Sequence, residues 1–574
     1  MKKSNYTFLM HYLKKDRFLV ATSLTLTLVN CLLLLAIPYL VGLSIDLMIG
    51  ASLVNIDQVI RLIVSIGLIS LVVSISQYFI SYLNNLVSFK VSQRIRDDLF
   101  LHLNHLPLKY LDGNEIGDIT NKVINDVDII SDGLIMGFNQ FFSSLVNILT
   151  CLIVMFVLNY QIALVVFFLT PVSLLLARFI SSSTFKLFKK QSEERSEQSA
   201  FLVEMITNQK VVEELNLKDV NRIKFEQMND ELEKTSIKAT FFSSLVNPTT
   251  RLINAMIYSL VALVGALVIV DNGALKVGLL VTFLAYVNQY TKPFNELTGV
   301  ISEIQNAFAS IARVSLLLEE AEEDTQGDKK ISTIKGDVTF DRVYFSYTKD
   351  QKLIEDLNLS IKSGTKVALI GPTGSGKTTI INLLMRFYEP TQGRILIDNQ
   401  DLKSLNRESF RDQVGMVLQD TYLKNASIYE NVKIGKEEAS EEEVITALKK
   451  VHAYDFVEKL EEGIHTIIKE DTLLSNGQKQ LLALARVMLV NAPLLILDEA
   501  TSSLDIRSEK QIQDAFNLLM ENKTTFIVAH RLSTIVNSDL ILVLKDGKVI
   551  EKGTHQDLIA KKGFYYSLYN SQFN

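Results

Sequence analysis

The sequence predicts two unlike halves: an all-α six-helix transmembrane domain, residues 1–325, followed by a cytoplasmic α/β domain, residues 326–574. Three observations predict it. Apolar runs of membrane-spanning length crowd into the first half, while Asp, Glu and Lys crowd into the second. Past residue 330 the pattern changes to short β-rich runs separated by helical stretches. One of those runs leads into a glycine-rich loop that opens a helix.

The 574 residues exceed what one ordinary core organises. Apolar residues make up 48% and charged residues 21%, an average over a membrane half and a water-facing half. The formal net charge of −6, with no long basic run or aromatic-basic stripe, argues against nucleic acid as a partner. Cys31 and Cys151 both lie inside apolar runs and read as buried thiols. No Cys/His spacing suits structural zinc.

Membrane helices need about 20 mostly apolar residues. Six stretches qualify: Phe18–Ile49, Val59–Leu86, Gly133–Leu158, Ile162–Ile180, Phe241–Val270 and Val277–Ile301. The first is too long for a signal-peptide core and reads as a retained helix. Ahead of it, Asn5–Tyr12 mixes aromatic and polar residues, as in a helix lying along the membrane surface. The connections Gly50–Gln58, Asn159–Gln161 and Asp271–Lys276 are short and nearly free of Lys and Arg. Val87–Asp132 and Ser181–Thr240 are long, charged and helical in pattern, with Lys90, Arg94, Arg96, Lys186, Arg195 and Arg222 among their cations. The positive-inside rule puts these loops and both termini in the cytoplasm of a cell-membrane protein. Short crosswise turns are expected near Asp112–Asp118 and Glu213–Lys218, and the domain linker at Glu319–Lys330.

In the second half, Gly371, Pro372, Thr373, Gly374, Ser375, Gly376, Lys377 and Thr378 fit GxxxxGK[ST] between the strand Lys366–Ile370 and the helical run that starts at Thr379. This is the phosphate loop of a P-loop NTPase. Its backbone wraps the phosphates of ATP, Lys377 reaches the β- and γ-phosphates, and Thr378 holds Mg²⁺. The run Leu494–Leu497 ends in Asp498 and Glu499, one acid to hold Mg²⁺ through water and one to polarise the attacking water.

Together with Leu474-Ser475-Asn476-Gly477-Gln478, which resembles an LSGGQ signature, these motifs make the chain similar to ABC transporters. The resemblance implies further roles. Gln419 matches the Q-loop and a Mg²⁺ ligand, Ser503–Asp505 the D-loop, and His530 the switch histidine. Tyr347 matches the aromatic residue that stacks on adenine, and Thr379 adjoins the phosphate loop. Two such domains close head to tail, so Ser475, Gly477 and Gln478 would touch ATP held by a second half-transporter chain. The crosswise turns of the long loops would carry that closure to the membrane helices. Asn476 stands where the family usually has glycine, and the segment Ile468–Leu474 does not match the usual lead-in. With Glu499 intact, this points to a heterodimer, a homodimer being the alternative.

The expected activity is ATP-driven export of amphipathic drugs, lipids or peptides across the bilayer. An ATP-gated regulator or channel is the competing reading, against which Glu499 and His530 speak. Arg251, Lys292 and Glu296 are ionisable groups in the last two spans; Lys292 and Glu296 stand four apart on one helix face, with Pro293 between them.

Overall fold

The computed structural model describes residues 2–49, 55–272, 276–323, 329–331, 333–348, 353–418, 421–469, 474–498, 506–528 and 532–573. The chain divides into two units: Met1–Asn104 with Glu115–Glu320, and His105–Asn114 with Ala321–Asn574.

The first unit is entirely helical among its described residues. A short helix Lys2–Leu13 precedes the long helices Arg17–Asp46 and Ile56–His105. Residues 116–158 form one continuous rod in which π turns, Lys122–Asp126 and Gly137–Phe142, interrupt the α-helical pitch. Tyr160–Thr207, Lys218–Ser244, Val246–Asn272 and Val277–Leu318 follow. Among the described residues, four rods are long and apolar enough to cross a membrane: Asn5–Asp46, Ile56–His105, Ile116–Leu158 and Arg251–Val270. The spans expected at Ile162–Ile180 and Val277–Ile301 lie within the helices Tyr160–Thr207 and Val277–Leu318. The charged loops are indeed helices that run on past the apolar stretches. The second interruption falls at residues 215–217, where Asn216 takes a left-handed conformation between the helices Gln209–Glu214 and Lys218–Ser244.

Small residues let the first and last long helices touch. A Cβ on Gly42 would sit 2.4 Å from the Gly278 carbonyl oxygen, and one on Gly278 only 1.9 Å from the Gly42 oxygen. The Asp46 carboxylate accepts the Gly278 N–H at 2.7 Å. Lower down, Asp126 is buried but satisfied: Arg313 Nε donates to it at 2.8 Å and Ser310 Oγ at 2.9 Å. Removing Arg313 would leave the buried Asp126 carboxylate without its cation. Both cysteines are free and buried. Lys292 and Glu296 pair at 3.8 Å within a helix that runs through Pro293 unbroken.

The second unit is α/β. Its described residues form ten strands: β1 (Val338–Phe345), β2 (Ile354–Ile361), β3 (Lys366–Ile370), β4 (Gln392–Ile397), β5 (Gln400–Asp401), β6 (Val414–Val417), β7 (Leu494–Asp498), β8 (Thr524–Val528), β9 (Leu540–Lys545) and β10 (Lys548–Gly553). One sheet has the order β2-β1-β4-β5 and is antiparallel. The other has the order β10-β9-β3-β8-β7-β6, parallel from β9 to β6. Both faces of its central strands are covered. Val367 and Leu369 join the core shared with β1, β2 and β4; Ala368 and Ile370 join the core under the helix Asn476–Val490. Continuous apolar runs such as Leu494–Leu497 follow from that two-sided burial.

Candidate nucleotide site

In open α/β sheets, ligands gather at the carboxyl ends of parallel strands. Here that edge is formed by Ile370, Val417, Asp498 and Val528. Gln419, Glu499 and His530 each follow one of these ends by one or two residues and lie outside the described residues, as do Ser503–Asp505.

The loop after β3 is built to receive an anion. Gly376, left-handed at φ 99°, is the N-cap of the helix Lys377–Leu384, and it offers no side chain to occupy the first free N–H groups. Gly374 is also left-handed at φ 80°, and a Cβ there would meet nothing within 4 Å, so space lies open over the loop. The Ser375 hydroxyl is buried and has no hydrogen-bond partner. An orphaned buried hydroxyl beside free helix N–H groups fits a phosphate. Lys377 folds back over the loop, Nζ donating to the Gly371 carbonyl at 2.7 Å and the Pro372 carbonyl at 3.0 Å. Burial pushes the Lys377 pKa down, and the charge of Asp498 opposes that shift. Among the described residues, this cation is therefore held by two carbonyls and a nearby carboxylate. Thr373 and Thr378 are exposed, and Thr379 is buried one position further along the helix. The Thr378 hydroxyl and Asp498 carboxylate are hard oxygen donors of the kind that suits Mg²⁺.

Tyr347 stands beside this helix. Its hydroxyl lies 3.4 Å from Thr379 Oγ1 and accepts from Asn382 Nδ2 at 3.2 Å. Its ring meets Phe345 and Tyr388 edge-on, each at 4.9 Å between centroids. The ring keeps part of its surface exposed, and an exposed tyrosine ring can stack on a flat base.

Tyr388 was not legible as a functional residue. Its hydroxyl donates to Asp112 Oδ2 at 2.7 Å, and that hydrogen bond together with burial pushes the tyrosine pKa up. Asp112 ends the short helix Leu108–Asp112, which packs with the second unit although its neighbours in sequence belong to the first. Around it, Glu389 is held by Arg407 at 3.1 Å, and by Arg386 and Lys403 at 3.4 Å each. Burial alone would raise the Glu389 pKa, but the Lys403 and Arg386 charges and the Arg407 hydrogen bond outweigh it, and the net shift is downward. The only trace of this arrangement in the sequence is the glycine punctuation at Gly113 and Gly117.

The signature segment is a second helix start, and it is closed. Ser475 is the N-cap of the helix Asn476–Val490: its hydroxyl accepts the Gln478 N–H at 3.2 Å, and Gln478 Oε1 accepts the Ser475 N–H at 2.9 Å. Gly477 is buried, whereas Asn476 is exposed in the first turn with ordinary helical backbone. Glycine's conformational freedom is therefore not required at 476. The asparagine adds an exposed polar side chain to that first turn.

Comparison with known proteins agrees with this geometry. The family model of the ABC transporter transmembrane region matches residues 20–294, and that of the ABC transporter matches residues 354–502. An uncharacterized ABC transporter ATP-binding protein of Bacillus subtilis strain 168, YfiC, is 34% identical over 98% of this chain and 93% of its own length. A fatty acid ABC transporter ATP-binding/permease protein of Mycobacterium bovis is 38% identical over 84% of this chain and 77% of its own length. The solved structure of a bacterial Atm1-family ABC exporter with ATP bound superposes with a TM-score of 0.77 at 28% identity, covering 97% of this chain and 98% of that one. A phosphate cradle behind β3, a base platform beside it, a signature helix and a membrane-spanning helical half on one chain thus have one explanation: the protein belongs to the ABC transporter family, as an exporter-type half-transporter whose ATPase domain drives transport.

Proposed function

We propose that this chain pairs with a different half-transporter chain and moves amphipathic molecules out of the cell membrane or across it. The observation that carries the nucleotide part is the loop 371–378, with its unpartnered buried Ser375 hydroxyl and its folded-back Lys377. On ATP binding, Lys377 turns from the Gly371 and Pro372 carbonyls to the β- and γ-phosphates, and Gly371–Thr379 cradle them through backbone N–H groups. Tyr347 stacks on adenine. Thr378, Gln419 and Asp498 would hold Mg²⁺, which neutralises charge between the β- and γ-phosphates when bound. Glu499 orients and polarises the attacking water, and His530 contacts the γ-phosphate. Ser475, Gly477 and Gln478 cap the nucleotide held by the partner chain. Residues 1–325 form the membrane domain and 326–574 the ATPase domain, with both termini in the cytoplasm.

Heterodimerisation rests on Asn476 beside an otherwise regular helix start. The nucleotide in this chain's own loop meets the partner's signature and is hydrolysed with Glu499; the partner's nucleotide meets Asn476 and turns over slowly. The fatty-acid relative and the apolar surface of the membrane half support an acyl-bearing or similarly amphipathic substrate.

The test is ATPase activity in lipid of the chain alone, the chain with its partner, and the paired chain carrying Glu499→Gln. The lone chain should form few active dimers. The pair should turn over, and Glu499→Gln should lower that turnover by about 10²–10⁴-fold with ATP binding retained. A lone dimer with full, substrate-stimulated turnover would refute the heterodimer. Glu499→Gln at half the normal rate would refute the role of Glu499.

A further inference from the structure

The membrane unit contains a cavity that the nucleotide chemistry leaves unexplained. It measures about 310 Å³ and lies between the N-terminal helix Lys2–Leu13, the rod 116–158 and the helix Val277–Leu318. Leu9 and Leu13 form one wall, Phe138 and Phe142 another, and Phe308 and Ile311 the third. All fourteen lining residues are apolar or glycine. Apolar cavities on the order of 150 Å³ already stay dry and take up apolar guests, so water is not the natural occupant of one twice that size.

The walls are fixed. The N-terminal helix is pinned by Tyr12, whose hydroxyl donates to Asp98 Oδ2 at 2.7 Å, and by the Asp16–Arg94 ion pair just beyond it. Asn5 Nδ2 donates to the Phe308 carbonyl at 3.3 Å. Opposite, the π turn Gly137–Phe142 widens the helix and brings three phenylalanines, 138, 141 and 142, to the cavity. Gly133 packs so closely on Ala307 that a Cβ would stand 2.3 Å from the alanine methyl, whereas a Cβ on Gly137 would meet nothing within 4 Å. The rim is apolar as well: Phe141 is 38% exposed and Phe308 39%. Immediately after Leu13 come Lys14, Lys15 and Arg17, all exposed and with no ion pair among the described residues.

We propose that this cavity holds one acyl chain of an anionic phospholipid from the adjoining leaflet, with the headgroup phosphate on Lys14, Lys15 and Arg17. A slot lined only by hydrocarbon side chains accepts a lipid tail, and the three exposed cations that follow its lining residue Leu13 in sequence complement an anionic headgroup, each contributing about as much as a polybasic residue at a charged membrane surface. The N-terminal helix is then held by lipid as well as by Asp98 and Arg94. The assignment rests on the membrane half alone and does not depend on what the protein transports.

The experiment is native mass spectrometry of the full-length dimer after equilibration with equal phosphatidylglycerol and phosphatidylcholine. The intact protein should retain phosphatidylglycerol in preference. Gly137→Phe, which points a ring into the open space, should lower retention of both lipids roughly tenfold or more. Combined Lys14→Gln, Lys15→Gln and Arg17→Gln should remove the preference for phosphatidylglycerol by a similar factor while a lipid is still retained. Gly137→Leu replaces Gly137→Phe if the latter loses dimer, and a phosphatidylglycerol carrying a photoreactive group at its acyl end should label residues 130–142 or 304–311. Unchanged retention in the filled variants, equal retention of the two lipids by the intact protein, or labelling elsewhere would overturn the proposal. So would loss of the lipid during ATP turnover, which would mark it as cargo.

Discussion

Two helix starts in the ATPase unit look alike in sequence and differ in their chemistry. At the phosphate loop, the cap is a glycine, the neighbouring Ser375 hydroxyl has no partner among the described residues, and the lysine is tied to two backbone carbonyls with the Asp498 charge nearby. At the signature, Ser475 and Gln478 satisfy each other's backbone donors in a closed capping box. The first is ready for phosphate before ATP arrives. The second is satisfied as it stands, so a nucleotide brought to it must compete with bonds already made. An N-cap of this kind is worth about 1 kcal/mol. That difference separates an open, anion-ready helix start from a closed one.

The strongest way to break the comparison is Lys377→Ala. Removing the one cation of the open start should weaken ATP binding by roughly 10–100-fold, the worth of a charge-assisted hydrogen bond, while the signature helix is untouched. Calorimetric affinity checks this, and unchanged affinity would mean that the loop is not the phosphate site.

The same lysine predicts a pH dependence. Burial depresses its pKa in the ATP-free protein, and bound phosphates favour its charged form, so its pKa in the complex is higher. ATP affinity should then be full below the ATP-free pKa and should fall as pH rises through it toward the pKa of the complex. The slope should be at most about tenfold per pH unit. Titrations from about pH 7 to about pH 10 should show this for the native chain and a flat profile for Lys377→Ala.

At the closed start, Asn476→Gly should raise turnover at the slow site of the paired transporter several-fold, because it clears the space above the helix start without altering the box. Single-turnover hydrolysis with the other site blocked by Glu499→Gln measures it. No increase would show that Asn476 is not what slows that site. The smallest effect is expected from Tyr388→Phe, which keeps the ring against Tyr347 and removes the bond to Asp112. ATP affinity should stay within about twofold, while stimulation of ATPase by transported molecules should fall by a factor corresponding to roughly 1 kcal/mol. Equal stimulation would show that the Asp112 contact carries no coupling.

Much of this protein is legible in one dimension because its strongest signals are local. Apolar runs mark the long rods, and the two-sided burial of β3 and β7 writes itself as the apolar runs Val367–Ile370 and Leu494–Leu497. The edge strands β2 and β10 are harder to read, since polar residues interrupt Ile354–Ile361 and Lys548–Gly553 where one face meets water. Gly371–Thr378 is contiguous, and so its role can be read from spacing alone.

What the sequence determined by itself, then, is whatever depends on neighbours along the chain: helix against strand, membrane against water, the phosphate loop, and the departure at Asn476. Tertiary structure alone decided the rest. It brought Asp112 to Tyr388 across 276 positions, left Ser375 without a partner, and drew Leu13, Gly137 and Ile311 around one cavity. The physical reason is that burial and pairing are properties of distance in space. A serine becomes an orphan, or a glycine an opening, only once the rest of the fold has settled what stands beside it.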